Sequence, residues 1–154
     1  AASCLRTVRW YWEAEMTIAN YPLPRPNAQT QPYWDGAAAG ELRYQCCLDC
    51  GLVQRIPRSL CEQCQSRQLD WRSSKRAGTV LTFTTVHRAP LPAFRDMVPY
   101  VIAIVDMDEG FRVMCNALPQ ARDGLEIGAR VRIGFQDDHG MSLPVVEAVL
   151  ESAP

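Results

Sequence analysis

The chain is poor in the residues that a self-sufficient enzyme needs. Among 154 residues it has two histidines, His87 and His139. It contains no GxGxxG, no GxxxxGK followed by Ser or Thr, no HExxH and no GxSxG. Dinucleotide and nucleoside-triphosphate cradles, zinc-protease helices and the serine-hydrolase elbow therefore leave no trace. No run of about 18 apolar residues is present, which argues against a transmembrane helix. No charged segment followed by an apolar one opens the sequence, so no secretory signal is expected and the expected location is the cytoplasm. Met16 reads as a natural start, with residues 1–15 as an upstream extension.

What the chain does have is cysteine, seven in all, four of them in a pattern. Cys47 and Cys50 are two residues apart, ten residues follow, and Cys61 and Cys64 are again two apart. Two CxxC pairs on a short loop bring four thiolates to the corners of a tetrahedron, the geometry Zn2+ accepts at Zn–S distances of about 2.3 Å. With every position filled by protein, such a metal is structural, one Zn2+ per chain. Gly51 after the first pair suits the tight turn of a zinc knuckle. Two disulfides are the alternative, a weaker one, because this is metal or redox spacing and nothing marks the chain as secreted. Cys4, Cys46 and Cys115 remain as free thiols, acceptable in a reducing compartment.

The net charge of −1 hides an asymmetry. Residues 43–76 hold seven basic and three acidic side chains, whereas residues 77–154 hold six basic and ten acidic. The ribbon is locally basic, which favours an anionic partner, nucleic acid or a phosphate-bearing cofactor; a merely solvated surface is the alternative. Apolar residues make up 47% of the chain, enough for a core.

The order of parts reads as mainly β. Residues 1–29 form an extended segment, with Pro22, Pro24 and Pro26 at alternate positions. A helix is expected over 30–42, capped by Thr30 and carrying Pro32 in its first turn. Tyr33 and Trp34 on it pack on the chain's own core or on a partner surface. The zinc ribbon occupies 43–76. Residues 77–154 follow as strands around Thr79–His87, Tyr100–Val105, Phe111–Asn116, Val131–Phe135 and Leu143–Leu150, with Tyr100–Val105 buried on both faces. Five antiparallel strands with tight turns at Asp108-Glu109-Gly110 and His139-Gly140 fit the five-stranded oligonucleotide/oligosaccharide-binding (OB) barrel, in which closure removes sticky edges.

Candidate catalytic groups are sparse. His139 sits in the acidic turn Asp137-Asp138-His139-Gly140 and reads as solvated. His87 shares a strand face with Leu81, Phe83 and Thr85, as a barrel histidine or as a group at a ligand groove beside Arg88. Cys115 alternates with Phe111 and Val113 and reads as core, since free cysteine is among the most buried residue types. The chain is read as non-catalytic by itself.

Gly40-Glu41-Leu42-Arg43 leads into Cys47-Leu48-Asp49-Cys50-Gly51; Ile56-Pro57-Arg58 precedes Cys61-Glu62-Gln63-Cys64; then come Trp71, Gly78-Thr79-Val80, Phe83 to Arg88, Pro99 to Ala103 and Asp108-Glu109-Gly110. This ordered set resembles the zinc-ribbon plus OB-fold proteins associated with acyl-CoA metabolism, a family long labelled a domain of unknown function. The likeness spans about Thr30 to Val149. It departs from the family pattern at Glu62, where proline is usual, and at Val145, where an aromatic is usual.

The resemblance implies a rubredoxin-like ribbon and an accessory role. Such proteins bind a thiolase-fold partner, often in an α2β2 hetero-oligomer. They help shape its acyl-CoA site in acyl transfer, thiolysis or retro-aldol cleavage, while the partner supplies the catalytic cysteine and histidines. Coenzyme A carries phosphates, which arginine forks bind, and an adenine that stacks on aromatic planes. Charge and position then suggest Arg58, Arg76, Arg88 and Arg95 for the phosphates and Trp34 or Phe94 for stacking. Two other readings stand beside this one. A single-stranded nucleic-acid module would suit an OB barrel and a ribbon, but the acidic barrel half disfavours it. A thiol or hydrolytic enzyme would use Cys115 and His87.

Overall fold

A computed structural model describes residues 22–150. The expectations for Met16 as a start and for the greater part of the N-terminal segment fall outside these residues. Residues 22–27 have no regular structure. Helix α1 then runs over Gln31–Ala38 with a proline in its first turn. Thr30 does not cap it: Thr30 is itself in the right-handed helical region and makes no side-chain cap bond. Asn27 takes that task. Its Oδ1 accepts from the Gln29 and Thr30 amides, both at 3.0 Å. This Asx turn aims the chain into the helix before Thr30 is reached.

Strands β1 (Arg43–Cys47), β2 (Val53–Gln54) and β3 (Leu69–Ser73) form a three-stranded sheet in the order β2-β1-β3. Both pairings are antiparallel. The inward residues of β1 enter the same apolar core as the barrel, and Leu42, Tyr44 and Cys46 pack with Val105, Phe111 and Val113. The Tyr44 and Phe111 rings lie 4.9 Å apart, tilted by 34°. At the joint, the Glu109 carboxylate accepts from the Lys75 amide at 2.7 Å and from the Ser74 hydroxyl at 2.9 Å. Ribbon and barrel are thus joined by shared packing as well as by a linker.

The second sheet closes on itself. Strands β4 (Ala77–Val86), β5 (Tyr100–Met107), β6 (Arg112–Ala117), β7 (Arg130–Asp138) and β8 (Met141–Val149) form a barrel in the order β4-β5-β6-β8-β7. The expected five-stranded OB-fold barrel is present. Not every pair is antiparallel, however: β6 and β8 run parallel, with Asn116 beside Val145 and Ala117 beside Val146. The β7–β8 hairpin leaves β8 running in the direction of β6, and only that pair removes the last two free edges. Gly78 marks a close approach. A Cβ there would come within 2.5 Å of the Asp106 carbonyl oxygen on β5.

Two expectations about the strands are corrected. β5 is fully buried on one face only, through Val101, Ala103, Val105 and Met107, while Tyr100, Ile102, Ile104 and Asp106 are half-buried on the other. The apolar run marks an outer face that is itself apolar, not a second core. β4 is buried only near its start, and Leu81 to Thr85 are exposed, because β7 pairs with β4 only over Ala77–Thr79. His87 lies beyond the strand and is exposed, so it is not a barrel histidine. No helix among the described residues is long and apolar enough to cross a membrane.

Candidate functional site

The four-cysteine cluster is built from two copies of one turn. In the first, the Gly51 amide donates to the Cys47 carbonyl at 2.9 Å and the Cys47 amide to the Leu52 carbonyl at 2.9 Å. In the second, the Gln65 amide donates to the Cys61 carbonyl at 3.1 Å and the Cys61 amide to the Ser66 carbonyl at 2.8 Å. Gly51 and Gln65 hold equivalent places, and both have positive φ, 76° and 60°. The Ser66 hydroxyl donates to the Asp49 carboxylate and links the two turns.

The thiols of Cys47, Cys50, Cys61 and Cys64 all lie within 4.8 Å of one another. Cys47 Sγ is 3.6 Å from Cys64 Sγ, and Cys50 Sγ is 3.6 Å from Cys61 Sγ. A tetrahedral metal with sulfur at about 2.3 Å requires edges of about 3.8 Å. A disulfide requires sulfurs about 2.05 Å apart. The cluster therefore fits a structural Zn2+ and does not fit the disulfide alternative. Amides of the second turn, first that of Cys64 and then that of Gln63, lower the Cys61 thiol to about 7 against the opposing effect of burial. Cys64 is pushed up to about 12: the Ser66 amide lowers it, but Cys50, burial, Cys47 and Cys61 together outweigh that help. Crowded thiolates oppose one another, and a bound dication relieves that repulsion.

Sequence reasoning missed what braces the second turn. Gln45 and Gln54 are buried. Gln45 Oε1 accepts from Gln54 Nε2 at 3.0 Å and from the Arg58 amide at 2.9 Å, and Gln45 Nε2 donates to the Arg58 carbonyl at 3.1 Å. Gln54 Oε1 accepts from the Glu62 amide at 3.2 Å. Two glutamines in a strand look like surface in a sequence; only the fold shows that they replace backbone partners for a loop that has no strand beside it.

A second feature is a groove of about 410 Å³ where three parts of the chain meet. Helix α1 contributes Tyr33 and Trp34, the ribbon contributes Arg55, Ile56 and Pro57, and the outer face of the barrel contributes Ile102 and Met114. Ile56 and Met114 are large apolar side chains left 59% and 65% exposed. Arg55 lies in the wall. Its Nη2 donates to the Tyr33 hydroxyl at 3.4 Å and its guanidinium carbon is 5.7 Å from the Tyr33 ring centre. Burial raises the Tyr33 phenol against the lowering effect of Arg55.

The groove gathers only Trp34 of the side chains suggested for coenzyme A. Arg58 is in the ribbon, already paired with Glu62 at 2.6 Å. Arg76 is half-buried at the ribbon–barrel joint with φ 62°. Arg88, Arg95 and Phe94 lie together in the long β4–β5 connection, both arginines exposed and Phe94 half-buried. Cys115 faces the barrel core, and burial pushes its thiol up to about 12, so it is a neutral thiol near pH 7. Through the strand register, Cys115 sits beside Ala103 and hence in the row of Phe83. His87 lies just past the end of β4, four residues beyond Phe83, a span of roughly 13 Å for extended chain. The pair cannot form a nucleophile and its base.

Comparison with known proteins follows these two parts of the chain. Residues 34–70 match the rubredoxin-like zinc ribbon domain of ChsH2, and residues 71–136 match the ChsH2 C-terminal OB-fold domain. A probable enoyl-CoA hydratase alpha subunit of Thermomonospora curvata is 33% identical over 127 residues, 80% of this chain and 39% of that protein. This chain thus spans about two fifths of the length of that relative. A DUF35 domain-containing scaffold protein of Methanothermobacter thermautotrophicus is 32% identical over 91 residues, 58% of this chain and 68% of the relative. A solved structure named Ltp2-ChsH2(DUF35) aldolase superposes with a TM-score of 0.69 at 31% identity, covering 80% of this chain and 96% of that one. Ribbon and OB barrel coincide with the two matched domains in the same order, and the chain belongs to the ChsH2/DUF35 family of zinc-ribbon and OB-fold proteins.

Proposed function

We propose that this chain is a non-catalytic, zinc-stabilised accessory subunit that binds a thiolase-fold partner in a hetero-oligomer of α2β2 type. In this reading it helps form the partner's acyl-CoA site for acyl transfer, thiolysis or retro-aldol C–C cleavage, in the cytoplasm, where four thiolates stay reduced. The observation that carries the reading is the likeness over nearly the whole ChsH2 chain of an aldolase whose name joins two proteins, Ltp2 and ChsH2. The neutral, core-facing Cys115 and its separation from His87 add support, because chemistry on an acyl-CoA would then fall to the partner. Arg88, Arg95 and Phe94 are the contacts we propose for coenzyme A, since one exposed loop can offer both phosphate forks and a stacking plane. Arg58, Arg76 and Trp34 are secondary candidates on other elements.

Affinity purification of the tagged chain from its native host tests this, with co-purifying proteins identified by mass spectrometry. A stoichiometric thiolase-fold protein is the expected result. A chain that purifies alone, or with nucleic acid, overturns it.

A further inference from the structure

Arg55 is a cation with no carboxylate partner among the described residues. Arg43, Arg58, Arg72, Arg112 and Arg130 each pair with a carboxylate of the chain. Arg55 is half-buried, and its Nε is buried with no acceptor among the described residues. Among the described residues its one acceptor is the Tyr33 hydroxyl, which carries no charge at neutral pH. Partial burial of an unpaired cation is costly, and the cost is relieved when an anion enters beside it. The surface next to that cation is apolar: Trp34, Ile56, Met97, Ile102, Met114 and Leu143 line the same groove.

We propose that this groove is a binding site for a small amphipathic carboxylate. An aliphatic body lies on the outer barrel face and Trp34, and its carboxylate reaches the Arg55 fork, which suits a planar two-oxygen anion better than a point charge does. A small ligand is favoured over a flat protein face for two reasons. The volume of about 410 Å³ falls in the range of ligand cavities, about 300–1,000 Å³. The cation also stands in a wall between helix, ribbon and barrel, where a narrow head group can follow its apolar tail inside. Asp138 also lines the groove, so the carboxylate end is excluded from its neighbourhood and the ligand has one orientation. The inference concerns this chain alone and does not require the thiolase-fold partner.

The test uses the full zinc-loaded chain, with decanoate as probe and decan-1-ol and decylammonium as matched controls. Binding is read by calorimetry and by tryptophan fluorescence, with Trp34→Phe identifying the reporter. Decanoate should bind at least tenfold more tightly than decan-1-ol, and decylammonium more weakly than either. Arg55→Met should abolish the tenfold preference and leave decan-1-ol unchanged, while Met114→Glu should weaken both. Zinc content and circular dichroism check folding. Should Arg55→Met fail to fold, Arg55→Lys keeps the charge without the fork and should retain only part of the preference. Equal binding of decanoate and decan-1-ol, or no binding of any probe at 1 mM, overturns the proposal. So does an undiminished preference in Arg55→Met, or in Arg55→Lys where that variant stands in. If no probe binds but a purified partner protein loses affinity on Arg55→Met, the missing anion belongs to that partner; the ligand proposal fails while the accessory reading stands.

Discussion

Replacing Cys61 by serine separates what zinc holds from what packing holds. Cys61 is fully buried and is one of the four clustered thiols. A closed four-thiolate site contributes folding free energy on the order of 10 kcal/mol, and the loops between β1 and β3 have little else to replace it. β2 is two residues long; beyond it, the glutamine clamp and the Asp49–Ser66 bond hold the two turns. Without zinc these loops should open, and the amides of Gly51, Cys61 and Gln65 should exchange at nearly unprotected rates. β1 and β3 should persist, because Leu42, Tyr44 and Cys46 are anchored in the barrel core. The barrel then loses no more than the tightened Tyr44–Phe111 contact, about 0.5–1.5 kcal/mol. At about 4–8 °C per kcal/mol for a domain of this size, its melting temperature should fall by roughly 12 °C at most. Colorimetric zinc analysis after gel filtration, hydrogen exchange by mass spectrometry and thermal melts read the three effects. Full zinc content in Cys61→Ser, with Gln65 still protected, refutes the metal assignment. Collapse of the barrel refutes the claim that its core stands independently of the metal.

Two further variants probe the supports of these sites. Gln45→Ala removes three hydrogen bonds to Gln54 and the Arg58 backbone and should destabilise the ribbon by about 1.5–4.5 kcal/mol at roughly 0.5–1.5 kcal/mol per bond, read as a lower chelator concentration for half-removal of zinc. Asp108 is held below the usual carboxylate range, first by its hydrogen bonds from Arg130 and then by that residue's charge. Its contribution is therefore present above about pH 3.9, the unfolded value, and is lost as pH falls through the lower folded value. Asp108→Asn should flatten the acid limb of a stability–pH curve, and an unchanged limb would contradict the pairing.

The sequence was informative where one local rule decides a structure. Two CxxC spacings specify a four-thiolate cluster whatever surrounds them, and alternation with Gly and Asp turns specifies strands. It was less informative where the deciding partner is remote. Thr30 is a good capping residue by type, yet Asn27 lies one turn earlier and bonds first. The parallel β6–β8 pair is not encoded in either strand; it follows from closing the barrel. The groove was legible only through Trp34. Its other walls come from a ribbon loop about 20 residues on and from the outer face of β5 and β6, more than 60 residues away, and Arg55 differs from Arg43, Arg58 and Arg72 in lacking a carboxylate neighbour among the described residues.

That outer face also bears on whether the barrel reads nucleic acid. In OB folds the second and third strands carry the binding face, where single-strand binders place cations that follow the phosphates and aromatics that stack on bases. Here those strands are β5 and β6. Their outward residues are Tyr100, Ile102, Ile104 and Asp106 on one and Arg112, Met114 and Asn116 on the other. Arg112 is the one cation among them, and Asp106 neutralises it at 2.6 Å. The surface offers aliphatic side chains where a phosphate backbone would need charge, and phosphate contacts supply most of the affinity of such binders. An apolar OB face walled by a helix and a zinc ribbon suits a hydrocarbon body better than a polyanion. Binding of poly-dT to this chain should therefore be negligible at 150 mM salt, and a measurable affinity with a steep salt dependence would mean that another surface carries the cations.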